Sequence, residues 1–186
     1  MYTVTRIIRF CYGHRLMNYE GKCRHLHGHN GKVEIELGSA ALDQRGMVRD
    51  FEEIKRSVQA WIDSTLDHTM LLRRDDPLVP ALRRQGERCL TLEENPTAEA
   101  IARMIYEYTA GQGFPVTEVR LWETEQSFAS YARDRAGAPA RGRVGEGSAA
   151  ARRDGADRAG APRRSLGRRR KSRGRRLRER STSTAA

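Results

Sequence analysis

Apolar side chains recur along this chain with two different periods, and the change of period divides it into elements. Residues 2–10 (Y-T-V-T-R-I-I-R-F) are rich in β-branched and aromatic types and predict a strand that Tyr12, Gly13 and His14 extend. Turn-forming residues follow in Met17 to Gly21. From His27 onward the chain alternates, with Val33, Ile35 and Leu37 on one face of a strand. Side chains two apart share a side, so His27, His29 and Gly31 fall on that same face. Gly28 lies between the two histidines on the other side, where a missing side chain allows close approach. Two antiparallel strands would then bring His14 beside His27 and His29.

After a loop with Asp43 and Gly46 the period becomes helical. Asp50 suits an N-cap with Glu53 at the third helical position, and Phe51, Ile54, Val58, Trp61, Ile62 and Leu66 form a stripe that ends near Asp67-His68. Residues 73–90 are polar with two prolines and predict an irregular connection holding one short helical turn. A second helix opens at N95-P-T-A-E99, with Asn95 as cap and Pro96 in the first turn. Ile101, Met104, Ile105 and Tyr108 make its stripe, and Gly111 or Gly113 stops it. Residues 116–124 return to strand with Val119, Leu121 and Glu123 on one face, and Phe128 to Tyr131 form a last short strand. The order strand, strand, helix, helix, strand, strand predicts an α+β fold, an antiparallel sheet with both helices on one face.

Charge changes the picture by splitting the 186 residues in two. Residues 1–131 hold 17 Lys+Arg against 19 Asp+Glu, whereas residues 132–186 hold 18 against 5, so the basic balance belongs wholly to the tail. With no aromatics and few large apolar residues, that tail cannot bury a core and is expected to be disordered. An Arg-rich tail can bind nucleic acid through phosphates, which makes a binding protein the rival reading and confines any nucleic-acid partner to residues 132–186. A functionless Arg/Ala/Gly/Pro extension is the preferred account of it. Three cysteines (Cys11, Cys23, Cys89) give no even-numbered disulfide framework, and no apolar run approaches the ~20 residues of a membrane span, so the chain reads as soluble and cytoplasmic.

Candidate chemistry concentrates in K22-C-R-H-L-H-G-H-N30. The chain has five histidines, and three of them (His25, His27, His29) fall here, with His14 just upstream and His68 following Asp67. Imidazole is the commonest zinc ligand and the usual acid/base near neutral pH. His25 competes on spacing with His27 as a ligand. Cys23 reads as an activated thiol, as a further ligand beside His27 and His29, or as a small apolar residue, the reading adopted for Cys11 and Cys89. Asp67-His68 fits either an oriented imidazole or a histidine complementing a helix C-terminus, and spacing does not separate them. Glu123, a charge in line with Val119 and Leu121, is out of place unless something uses it.

Taken in order, H14…C23-x-x-x-H27-G-H29-N, V48-R-D-F, L66-D-H68, N95-P-T-A-E99 and L121-W-E-T124 resemble the 6-pyruvoyltetrahydropterin synthase superfamily, most nearly its 6-carboxytetrahydropterin synthase branch of the queuosine pathway. The resemblance covers residues 3–131. It implies a T-fold, a four-stranded antiparallel sheet with two helices between its second and third strands, forming trimeric barrels that stack into a hexamer with active sites between subunits. It implies Zn2+ held by His14, His27 and His29 with His25 intervening, Cys23 as catalytic base, and Asp67 with His68 as the second proton-transfer unit. Glu123 would grip the 2-amino and ring N–H donors of a pterin and take part in the proton relay. Thr97 and Glu99 would support the pterin pocket, though both equally suit a helix start. The implied substrate is 7,8-dihydroneopterin triphosphate, converted to 6-carboxy-5,6,7,8-tetrahydropterin with loss of acetaldehyde and triphosphate, or to 6-pyruvoyltetrahydropterin in the other branch. On charge alone, Arg15, Lys22 and Arg24 are candidates to hold triphosphate. The chain departs from the family pattern at Tyr12-Gly13, where two small residues are common, and at Gly31, where an aromatic is common.

Overall fold

The computed structural model describes residues 1–133. The expected tail, 132–186, lies outside the described residues except for Ala132 and Arg133. Two long strands lead the fold, β1 (Tyr2–His14) and β2 (His27–Ser39), and they pair antiparallel along their whole length. The alternation seen in the sequence becomes a buried face, on which Ile8, Phe10 and Tyr12 meet Val33, Ile35 and Leu37. Strand β5 (Val116–Thr124) pairs antiparallel with β2, and β6 (Ser127–Tyr131) with β5. These four strands are the expected antiparallel sheet.

The sheet is nevertheless wider than expected, because two more strands lie at its β1 edge. Residues Thr69–Arg73 form β3, parallel to β1, and Cys89–Leu92 form β4, parallel to β3. The full order is β4-β3-β1-β2-β5-β6. The segment expected to be irregular over 73–90 thus ends in a strand and carries a helix of its own, Val79–Arg84 (α2). Neither T-M-L-L nor C-L-T-L alternates, so periodicity gives no strand signal there. Their conformation is set by backbone pairing, of β3 to β1 and of β4 to β3, between segments distant in sequence.

One long helix, α1, covers residues 51–65 and runs through Phe51–Ile54, a π-helical stretch at Lys55–Gln59, and Ala60–Thr65. Ile54, Val58, Ile62 and Leu66 are all fully buried. A strict four-residue spacing drifts about 40° per step on a 3.6-residue helix, and the wider π turns take up part of that drift. Phe51, expected in the stripe, is 45% exposed at the helix start, where Asp50 accepts a hydrogen bond from the Glu52 amide. The last helix, α3 (Ala98–Gly111), buries Ile101, Ala102, Ile105 and Tyr106 against the same sheet face. Trp61 and Tyr108 stack across the two helices with centroids 4.0 Å apart. Burying side chains of this size stabilises by about 1.5–3 kcal/mol each.

The cap of α3 corrects the expectation. Thr97, not Asn95, accepts from the Ala100 amide, at 3.3 Å. Asn95 is occupied elsewhere: its side chain accepts from the Met17 N–H and donates to the Met17 carbonyl, both at 2.8 Å. The loop leaving β1 is thereby clamped to the loop entering α3. A second tie holds that loop from the other side. Arg15 donates to both oxygens of Asp76, at 2.7 and 2.5 Å, so its charge is paired within the fold. Burial would raise the Asp76 pKa, but Arg15 and the Leu78 amide outweigh it and hold the carboxyl below the usual aspartate range.

Removing one partner of a buried pair strands the other, so Asp76→Ala is expected to cost about 3 kcal/mol in urea unfolding at pH 7. A depressed carboxylate contributes stability above its unfolded pKa and loses it as pH falls through the folded one. The gap between the unaltered chain and the variant should therefore be full at neutral pH and shrink below the ordinary aspartate range.

Candidate active site

The β1–β2 register sets His14 opposite His27 and Tyr12 opposite His29, all on the face that the helices cover. Their ring nitrogens converge. His14 Nε2 lies 2.9 Å from His27 Nε2 and 3.1 Å from His29 Nε2. His14 is buried, and burial pushes its pKa down, helped by the neighbouring histidines and opposed by the Pro96 carbonyl and Glu123.

Two backbone carbonyls fix the tautomers. His14 Nδ1 stands 2.7 Å from the Pro96 carbonyl and His27 Nδ1 2.8 Å from the His25 carbonyl. A carbonyl can only accept, so each Nδ1 carries the proton and each Nε2 presents a lone pair to the centre of the cluster. Bare nitrogens at this separation repel unless a cation or a proton lies between them. The donor set fits a metal ion with three imidazole ligands and an open position. Among the described residues the ligand atoms of His14, His27 and His29 lie within 4.8 Å of one another, a group that includes neither Cys23 nor His25. The reading of Cys23 as a ligand finds no support in this geometry. His25 is exposed and serves through its carbonyl.

Cys23 sits in a short 3-10 turn, Lys22–Arg24, half-buried, and its carbonyl accepts from the Leu16 amide at 2.8 Å. It lines a cavity of about 370 Å³ with His14, Tyr19, Thr97, Glu99, Glu123 and Phe128. Larger concavities exist on the surface, but this one gathers the thiol, one cluster histidine and the carboxylate. Glu123 Oε1 accepts from the Tyr12 hydroxyl at 3.0 Å and lies 3.7 Å from His14 Nε2 and 3.9 Å from His29 Nε2. Thr97 is committed to capping α3, whereas Glu99 is exposed in the first turn. Burial, with Glu123 beside it, drives the Tyr12 pKa far above the tyrosine range, so the phenol keeps its proton.

Asp67 and His68 are placed elsewhere. His68 Nδ1 donates to Asp67 Oδ2 at 2.8 Å, while Asp67 Oδ1 accepts from the Cys11 amide at 2.8 Å. Burial would raise the Asp67 pKa, but the Cys11 amide and His68 bring it below the ordinary value. His68 has φ 51°, a left-handed backbone uncommon for histidine, and its N–H donates to the Cys11 carbonyl. It lines a second concavity of about 590 Å³, with Cys11, Tyr12, His27, His29 and Met70, that includes neither Cys23 nor Glu123. Within one chain, the two sets of expected proton carriers therefore face different cavities.

Sequence reasoning missed several members of this neighbourhood. In the sequence Tyr12 stands out only as a departure from a family pattern, and Asn95 suits a cap. Cys11 and Cys89, taken as small buried residues, are half-exposed, and the Cys11 thiol donates to Asn30 at 3.1 Å. Reciprocal exchanges on facing strands, an aromatic for a small residue at Tyr12 and a glycine for an aromatic at Gly31, are the signal that locates Tyr12.

Comparison with known proteins bears on the family and the fold. A family model described as 6-pyruvoyl tetrahydropterin synthase matches residues 3–134. A Rickettsia felis protein named 6-carboxy-5,6,7,8-tetrahydropterin synthase is 36% identical over 135 residues, covering 69% of this chain and 98% of that protein. One of the same name from Aquifex aeolicus is 32% identical over 123 residues, covering 59% and 75%. Among solved structures, an uncharacterised Wolinella succinogenes protein superposes with TM-score 0.60 at 30% identity, covering 72% of this chain and 98% of the other. The Caenorhabditis elegans 6-pyruvoyl tetrahydropterin synthase gives 0.54 at 23% identity, covering 72% and 96%, a likeness of fold. With its motifs in order on the matching fold, the chain belongs to the 6-pyruvoyl tetrahydropterin synthase family.

Proposed function

We propose that this chain is a zinc-dependent lyase that converts 7,8-dihydroneopterin triphosphate to 6-carboxy-5,6,7,8-tetrahydropterin, releasing acetaldehyde and triphosphate, in queuosine (7-deazapurine) biosynthesis. The observation that carries the reading is the convergence of three imidazole Nε2 atoms beside a cavity that also holds Cys23 and Glu123. The names borne by relatives such as the Rickettsia felis protein support the carboxy-forming product. Three unpaired cysteines suit a cytoplasmic enzyme, and among the described residues no helix is long and apolar enough to cross a membrane.

His14, His27 and His29 would hold Zn2+, which when bound polarises side-chain oxygens of the substrate and acidifies the adjacent C–H bonds. The Glu123 carboxylate would accept from the 2-amino and ring N–H groups of the pterin, with Thr97 and Glu99 at the cavity wall. Cys23 takes a proton from the substrate side chain. A second proton moves through His68 Nε2, left available because Nδ1–H is bound to Asp67. Because Cys23 and His68 face separate cavities, the working site is assembled between subunits, with His68 supplied by a neighbouring copy in a hexamer of two trimers. Elimination of triphosphate, uptake of one water and cleavage of the side chain complete the balance.

The first test is mass spectrometry of products from zinc-loaded protein and 7,8-dihydroneopterin triphosphate. Carboxytetrahydropterin with acetaldehyde is expected, reduced by a factor on the order of 10² or more in Cys23→Ala; 6-pyruvoyltetrahydropterin instead would move the chain to the other branch. Subunit mixing tests the shared site. Cys23→Ala and His68→Ala should each be inactive, and unfolding and refolding them together should restore about a quarter of sites; no recovery from a refolded hexamer would refute sharing. Metal binding competes with protons for the ligand nitrogens, so zinc measured after dialysis is expected to fall as the solution is acidified and to be lost from His14→Ala at any pH.

A further inference from the structure

Tyr12 is the largest side chain beside the candidate metal ligands that the mechanism above leaves without a role. It is 3% exposed, and its ring lies edge-on to His14 at 5.3 Å and tilted to His29 at 5.7 Å between centroids. Phe10 stacks behind it at 5.4 Å. Its hydroxyl is the one hydrogen-bond donor to Glu123 among the described residues, reaching Oε1 at 3.0 Å. Oε1 is also the oxygen turned toward the histidines, at 3.7 and 3.9 Å. Without the phenol nothing in the described fold would keep this carboxylate beside the histidine nitrogens rather than turned onto them. With Oε1 so held by one hydrogen bond, its second lone pair and Oε2 are left to the ligand of the cavity.

The space for this arrangement comes from the facing strand. A Cβ built on Gly31 would stand 3.1 Å from Tyr12 Cε1, closer than an ordinary contact, so a side chain at 31 must displace the ring. Tyr12 and Gly31 act as one unit, an aromatic on β1 occupying room that β2 gives up.

We infer that Tyr12 is a positioning residue for Glu123, its hydroxyl holding the carboxylate off the metal position and aimed at the pterin, and that Gly31 is required to seat it. This rests on the pterin-synthase reading. In the full chain loaded with zinc, Tyr12→Phe keeps the ring and removes only the donor. Biopterin, which carries no triphosphate leaving group, should bind Tyr12→Phe roughly tenfold more weakly by fluorescence titration, as expected for a lost hydrogen bond to a charged group. With the triphosphate substrate the loss should fall in KM rather than kcat. Zinc content and thermal midpoint should stay at the unaltered values. Gly31→Ala, which changes no polar group, should weaken biopterin in the same direction. If Tyr12 acts through Glu123, Tyr12→Phe added to Glu123→Gln should weaken binding no further than Glu123→Gln alone.

Equal biopterin affinity in Tyr12→Phe and the unaltered chain, or losses that multiply in the double variant, would overturn the inference while leaving the synthase reading intact. A lowered thermal midpoint with unchanged affinity would likewise reduce Tyr12 to packing. No biopterin binding or turnover by the unaltered chain would overturn the synthase reading, and this inference with it.

Discussion

The pairing register of β1 with β2 is the constraint on which everything else depends. His14 faces His27 and Tyr12 faces His29 because thirteen consecutive residues of each strand pair without a break. A slip of one residue would turn every side chain of one strand to the opposite face, taking the histidines away from each other and Ile8, Phe10 and Tyr12 out of the core. Core and candidate metal site are thus specified by the same alternation. The apolar half of the strands secures the register, and the polar end uses it. This explains how three imidazoles can be held nitrogen to nitrogen, since the burial of Val33, Ile35 and Leu37 opposes any local separation.

Around that pair, the loops that complete the site are held by polar ties rather than by apolar packing. Asn95 clamps the Met17 backbone, Pro96 orients His14 through its carbonyl, and Thr97 caps α3. Three consecutive residues therefore join the end of β1 to the start of a helix and set one candidate ligand's tautomer. Asp76, reached by Arg15, anchors the same loop from the other side and also accepts from the Leu78 amide at the start of α2. A charged pair in this position contributes through the loss incurred when one partner is removed, more than through any net gain from its formation.

The division of titratable groups between two cavities has a structural origin. Even-numbered side chains of β1 point to the helices, whereas the Cys11 N–H and C=O lie in the plane of the sheet and reach Asp67 and His68 at its edge. The left-handed backbone of His68 belongs to this arrangement, because it lets one residue both bond the Cys11 carbonyl and present its ring beside Asp67. Strain of that kind costs about 1–3 kcal/mol and persists where surrounding contacts enforce it.

Local periodicity determined much of this protein by itself. β-Branched and aromatic content marked β1, alternation marked β2 and β5, the helical stripes marked α1 and α3, and the concentration of histidines at i and i+2 on a strand announced a cluster, since each of these signals lies within a few residues. The ordered motifs were enough to point to the family. The tertiary structure decided what depends on residues far apart. The β3 strand exists as a partner of β1 and β4 as a partner of β3, without a pattern of their own. Arg15 looked like a free cation until the fold placed Asp76 against it, 61 positions away. Asn95 looked like a cap until Met17 took both of its polar atoms. Tyr12 gained its partner from 111 positions along the chain, in β5. A hydrogen bond of that separation leaves no periodic trace, because its geometry is fixed by the sheet that carries both ends and not by the sequence around either one.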